Sequence, residues 1–136
     1  MLSRLETSSR TPPPAVAPFA IERRDVDRQC SVIAIEGELD LASAPRLKWT
    51  LVDALDAGRS LLVVDMSRVS FMDSTALGVL VAVNRGLRPD ARLSIVCSGE
   101  VVSKIFQLSG MDGVFAIFPT LEQALAHVHG RAAEVG

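Results

Sequence analysis

From about Phe19 the chain alternates short apolar runs with stretches in which apolar residues recur every three or four positions, the pattern of strands and amphipathic helices in turn rather than of a helical bundle. Five runs read as strands, at 19–21, 32–35, 61–64, 93–96 and 114–117. The third, Leu61-Leu62-Val63-Val64, is apolar at every position, as a central strand covered on both faces must be. A first helix is expected to be capped by Ser43 and to carry Leu47, Leu51, Ala54 and Leu55 on one side. Pro45 falls in its first turn, where a missing N–H is harmless, and Gly58 lies past its end. A second helix is expected from about Ser74 to Arg85. The third puts Val101, Ile105 and Leu108 on one stripe and stops before Gly110, a residue type that tolerates the left-handed C-terminal position. Thr120 and Gln123 have the spacing of a capping box for a fourth, running through Leu125 and Val128. The order predicted is β-β-α-β-α-β-α-β-α, an α/β domain with three helix-bearing crossovers.

Residues 1–17 differ from the rest: Pro12, Pro13 and Pro14 stand among hydroxyl residues with no apolar period, a composition that cannot offset its ordering entropy. A disordered Pro-rich tail is expected there, one globular domain over 18–130, and a short flexible end over 131–136. The 136 residues, 49% apolar and 22% charged, suffice for one core, and no repeat of 20–50 residues divides them. A net charge of -2 argues against direct nucleic-acid or anionic-membrane binding, which needs a basic surface. The longest apolar runs, Val79 to Val83 and Val114 to Phe118, fall far short of the roughly 20 residues of a membrane span. Arg4 and Arg10 have no apolar stretch behind them, so no secretory signal is read and cytoplasmic residence is expected. Cys30 and Cys97 belong to no CxxC or Cys/His cluster. They are expected to be buried and inert, with a redox-linked disulfide as the alternative.

The chemistry concentrates in Asp65-Met66-Ser67-Arg68-Val69-Ser70-Phe71-Met72-Asp73-Ser74-Thr75, read as the end of a buried strand, a short loop and the opening of the second helix. The plain reading of Asp73 or Ser74 is a helix N-cap. A helix N-terminus is also an anion site, so a phosphate on Ser74 could be held there with little rearrangement. At about 100° per residue, Leu77, Leu80, Val81 and Asn84 fall on one face of this helix and Gly78, Val79, Ala82 and Val83 on the other. No charge intervenes before Arg85. An uncharged outer face of small residues beside an exposed serine suggests a docking surface, and the competing expectation is that a neighbouring helix covers it.

Four segments in order resemble the STAS-domain family of anti-sigma factor antagonists. They are Gly37-Glu38-Leu39-Asp40 followed by Ser43-Ala44-Pro45; Phe71-Met72-Asp73-Ser74-Thr75; Ile105 to Met111; and Phe118 to Leu125. The resemblance spans about 19–130. It implies a mixed sheet of about five strands backed by about four helices, and a non-enzymatic regulator that works by partner switching. It implies that Ser74, directly after the motif aspartate Asp73, is phosphorylated by an anti-sigma factor that is a serine kinase. The unphosphorylated form would bind that kinase and free a sigma factor, and a phosphatase would reset the phosphorylated form. Asp40 would line the same surface, which with Asp73, Ser74, Thr75, Gly78, Val79 and Ala82 makes up the expected partner site. One position departs from the family pattern: Ala76 stands where glycine is usual, and its methyl group is expected to hinder close approach of a kinase backbone.

Other functions fit less well. A serine hydrolase would need a base and a GxSxG elbow, and the only histidines, His127 and His129, lie near the C-terminus. Two apart on a helix, they point to different sides and read as surface residues rather than a metal pair. A receiver-type phosphoacceptor at Asp65 would need an acidic pair after the first strand, whereas Asp25 and Asp27 precede the second. Nothing in the pattern requires a cofactor or a metal. The nearer alternatives keep the fold and change its role, to an accessory subunit bound to a transporter ATPase or to an interaction module that is not phosphorylated.

Overall fold

The computed structural model describes residues 18–135; residues 1–17, with the expected tail, and Gly136 lie outside the described residues. Strands β1 (Ala20–Asp25), β2 (Cys30–Leu39), β3 (Leu61–Met72), β4 (Arg92–Val96) and β5 (Ala116–Phe118) form one sheet in the order β1-β2-β3-β4-β5. β1 is antiparallel to β2 and every other neighbouring pair is parallel, so the sheet is mixed. Each parallel step needs a crossover. These are α1 (Ala44–Asp56), α2 (Ser74–Arg85), and α3 (Glu100–Leu108) with the 3₁₀ turn Met111–Gly113; α4 (Leu121–Val135) follows β5.

The two faces of the sheet carry separate apolar clusters. Ile33, Leu62, Val64 and Ile95 pack with Leu47 and Leu51 of α1, Ala76 and Leu80 of α2, and Val102 and Phe106 of α3. Val32, Leu61, Val63 and Val96 pack with Ala124 and Val128 of α4. Leu61 to Val64 are therefore buried on both sides, which is why no polar residue interrupts them.

The expected loop after Val64 is strand instead. β3 runs on to Met72 because β2 runs on beside it, pairing Glu36 with Arg68 and Leu39 with Met72. Two bulges place an extra residue in β3, one between Ala34/Glu36 and one between Gly37/Glu38 on the partner strand. The buried residues Met66, Val69 and Met72 are in consequence three apart, a spacing that hides a strand from a period-two reading. Gly37 and Leu39, beyond the strand expected at 32–35, belong to β2, and Gly37 takes the left-handed φ of 98° at the second bulge.

α3 is rotated from the expected stripe. Val102 and Phe106 are buried, Phe106 meeting Phe115 edge-on at 6.0 Å between centroids, while Val101 is 56% and Leu108 85% exposed. Only Ile105 of the expected set packs against the core, and that partly. Gly110 does follow the helix in the left-handed conformation, with φ 78°. In α4, Thr120 Oγ1 accepts the Gln123 N–H at 3.2 Å, the N-cap half of the expected box. Both cysteines are buried and unbridged. Cys30 sits at the level of Leu61 and Arg92, whereas Cys97 follows the far end of β4, about 16 Å of strand rise away, so the disulfide alternative fails on reach.

Candidate functional site

β2 and β3 end together, and the chain leaves each at an aspartate. Asp40 follows Leu39 and Asp73 follows Met72, and the Asp73 N–H donates to the Leu39 carbonyl at 3.0 Å. The sheet thus brings the two acids to one edge.

At Asp40 the carboxylate closes its own turn: Oδ1 accepts from the Ala42 N–H at 3.0 Å, the Ser43 N–H at 3.1 Å and the Ser43 hydroxyl at 3.1 Å. The Ser43 N–H is the main cause holding the Asp40 carboxyl below its ordinary pKa. Ser43 stands at the N-cap position of α1, but its hydroxyl does not cap the helix as expected. It donates to the Glu38 carbonyl at 2.8 Å and accepts the Asp40 N–H at 2.9 Å, which fixes the turn instead. Asp40 opens onto a shallow concavity shared with Phe19, Glu38 and Arg46, separate from the grooves beside α2.

Asp73, not Ser74, is the N-cap of α2. Its backbone is extended and its Oδ1 accepts the N–H groups of Thr75 at 2.9 Å and Ala76 at 3.1 Å. Ser74 is the first helical residue and is exposed, as is Thr75. This arrangement corrects the expectation that a phosphate on Ser74 would be cradled by the helix end. Two of the donors it would use, the Thr75 and Ala76 N–H groups, are already taken, and the group that takes them is itself an anion.

Ala76 is fully buried within the core, so its methyl group faces the sheet and cannot obstruct a partner, contrary to expectation. The inward stripe of α2 runs through Ala76 and Leu80. Of the expected outer face, Val79 and Val83 are half-buried against the core, while Gly78 and Ala82 stay exposed. Both competing expectations hold in part: neighbouring residues cover the valines and leave the small residues open. Two apolar grooves meet over Gly78 and Ala82. One, of about 470 Å³ between α1 and α2, has Thr75 at one end and Lys48 and Val52 along its side. The other, of about 400 Å³ towards the end of α3, is lined by Ser74, Arg85 and Met111.

Two residues at this edge were not among the expected partner-site residues: Leu41 is 73% exposed beside Asp40, and Phe71 is 43% exposed beside Met72. An apolar residue close to each motif acid was the available signal. Among the described residues no group of three or more His, Cys, Asp or Glu could hold a metal ion, and no helix is long and apolar enough to cross a membrane. His127 stacks obliquely on Phe118 at 5.0 Å, and His129 Nε2 lies 3.4 Å from Asp27 Oδ2, on different sides of α4.

The family model described as the STAS domain matches residues 21–124. The chain is 32% identical over 100 residues to the anti-sigma-F factor antagonist RsfB of Mycobacterium tuberculosis, covering 74% of this chain and 82% of that protein. Its fold is similar to the crystal structure of an anti-sigma factor antagonist from Mycobacterium paratuberculosis, with TM-score 0.78, 30% identity and coverage of 84% of this chain and 98% of that one. The Bacillus cell fate determinant SpoIIAA, an anti-sigma factor antagonist, is similar in both solved forms, at 27% identity. The unphosphorylated form has TM-score 0.71 over 82% of this chain and 97% of its own, the phosphorylated form 0.65 over 80% and 99%.

Proposed function

The chain belongs to the STAS-domain family of anti-sigma factor antagonists, and from that premise we propose that it binds an anti-sigma factor through the exposed face of α2 until Ser74 is phosphorylated. The partner is a serine kinase that moves the γ-phosphoryl group of ATP onto Ser74 Oγ, releasing ADP and the hydroxyl proton; a phosphatase restores Ser74 by hydrolysis to inorganic phosphate. Binding frees the sigma factor, and phosphorylation ends the binding.

The observation that carries this reading is the position of Ser74: exposed, first in a helix with no charge before Arg85, at the mouth of one of two apolar grooves. Gly78 and Ala82 let a partner approach the helix closely, Val79 forms a wall beside them, and Thr75 opens the second groove. Asp40 and Asp73 set an acidic edge at the helix entrance, with Lys48 and Arg85 beside the grooves. A similar chain solved in phosphorylated and unphosphorylated forms supports a switch of this kind.

Calorimetric titration against the cognate anti-sigma factor, with mass spectrometry after incubation with that partner and ATP, tests it. The expected result is tight binding of the unmodified chain, phosphate on Ser74, and loss of binding afterwards. Phosphate on Thr75 with Ser74 untouched would move the switch by one residue, and equal affinity of both forms would sink it.

A further inference from the structure

At the opposite end of the sheet from Ser74, where β3 and β4 begin, lies a concavity of about 420 Å³ that partner switching at α2 does not use. Its size is that of a small-molecule site. Leu61, Leu87 and Val128 contribute to its apolar wall and Arg88, Arg92 and His127 to its polar side, and among the described residues no Asp or Glu lines it. Arg92 is held by neutral groups: its Nη1 donates to the carbonyls of Pro89 and Ala91, both at 2.8 Å. Among the described residues it forms no ion pair. Arg88 reaches the carbonyls of Leu55 and Arg59 at 3.5 Å, and the carboxylate it pairs with among the described residues, Asp90 at 3.5 Å from Nε, stands outside the lining. Asn84 and Ser94 add polar side chains to the same walls.

A guanidinium fixed by backbone carbonyls keeps N–H donors and its whole positive charge for an anion, and Arg forks match carboxylate and phosphate oxygens. An apolar wall facing that charge favours a ligand that is charged at one end only. We infer that this concavity binds a small organic anion, a carboxylate or phosphate monoester with an apolar body, whose head group meets Arg92 and Arg88. The site is independent of Ser74.

Two-dimensional amide NMR of the full chain, titrated separately with hexanoate, phenyl phosphate and neutral hexanamide, tests the inference. Saturable shifts with at least one of the two anions at Asn84, Arg92 and Ser94, and none with hexanamide, are expected; which anion saturates identifies the head group. Arg92→Gln should weaken that binding at least tenfold. Since Arg92 also secures its loop, Ala116→Trp, a rim change at an exposed strand position that keeps both arginines, should block the concavity with the fold intact. Equal binding of hexanamide would reduce the site to an apolar hollow and overturn the proposal. No saturation by either anion up to about 10 mM, or undiminished binding by both variants, would show the arginines to be loop staples only and overturn it likewise.

Discussion

The Asp73 N–H donates to the Leu39 carbonyl at 3.0 Å, and through that bond the entrance to α2 is fixed to the end of β2. The Asp73 side chain then takes two of the free N–H groups of the helix it opens. Asp73→Ala should cost about 0.5–2 kcal/mol in urea denaturation, the usual loss for a capping side chain, and Asp73→Asn much less because it keeps an acceptor. Equal losses in the two variants would assign the effect to charge at the helix dipole instead.

Phe106 and Leu108 distinguish the real face of α3 from the one its spacing suggests. Phe106 is buried against Phe115, so Phe106→Ala should cost about 3–5 kcal/mol. Leu108, at 85% exposure, should lose no more than about 0.5 kcal/mol on the same change. Thermal or urea melts of the two variants check the order, and the reverse order would restore the stripe Val101, Ile105, Leu108.

Element order, the central strand and the span of α2 were legible because each rests on a local signal: a fully apolar run, a capping aspartate, a helix-period stripe. What escaped was set by pairing at a distance. Ser67, Arg68 and Ser70 carry no strand signal of their own, and β3 includes them because β2 supplies partners and the bulges absorb the mismatch. Likewise α3 offers two apolar stripes, and the one that turns inward is set by core residues distant in sequence, Phe115 after the 3₁₀ turn among them. At the candidate site, the residue types at 40, 73, 74, 78 and 82 were readable, and Asp73 was one of two candidate caps; the choice of Asp73 over Ser74 as the group that takes the Thr75 and Ala76 N–H groups came only from the fold. The inward direction of Ala76 was equally invisible, since it depends on where the sheet lies.

Gly78 separates a folding role from a docking role. A Cβ added there meets nothing within 4 Å and the position is helical, so Gly78→Ala should stabilise the chain by about 0.5–1 kcal/mol. The same methyl group stands where the two grooves meet and should weaken partner binding. Paired melting and calorimetric titration decide: higher stability with unchanged affinity would remove Gly78 from the interface.

Burial pushes the Cys30 thiol up to about 11, with the nearby Asp27 carboxylate adding to the effect. In the unfolded chain the thiol ionises near pH 8.5, so from about 8.5 to 11 the unfolded state binds fewer protons than the folded one, and stability falls as pH rises. The chain has no tyrosine to titrate in that window. Urea midpoints measured from about pH 8 to 10.5 should therefore decline, and Cys30→Ala should flatten the decline. A slope unchanged by the substitution would place its origin elsewhere.

Ser74 carries the sharpest expectation. Phosphate or Ser74→Glu puts negative charge beside Asp73, at the mouth of a groove that a partner must desolvate. The helix dipole favours an anion at this position by about 0.3–1 kcal/mol, but the Asp73 carboxylate already holds the Thr75 and Ala76 N–H groups and opposes a second charge. The two effects on folding nearly cancel, so Ser74→Glu should leave stability within about 0.5 kcal/mol of wild type. At the interface nothing cancels: an unpaired charge there costs several kcal/mol, and about 2.8 kcal/mol corresponds to a hundredfold loss of affinity. Ser74→Ala should bind the anti-sigma factor as wild type does and accept no phosphate. Asp73→Asn combined with Ser74→Glu isolates the neighbour's part. If repulsion from Asp73 limits how the new charge is accommodated in the folded chain, the double variant should be more stable than Ser74→Glu alone while binding just as poorly. Recovery of binding in the double variant would mean that the lost affinity came from a disturbed helix entrance rather than from charge presented to the partner.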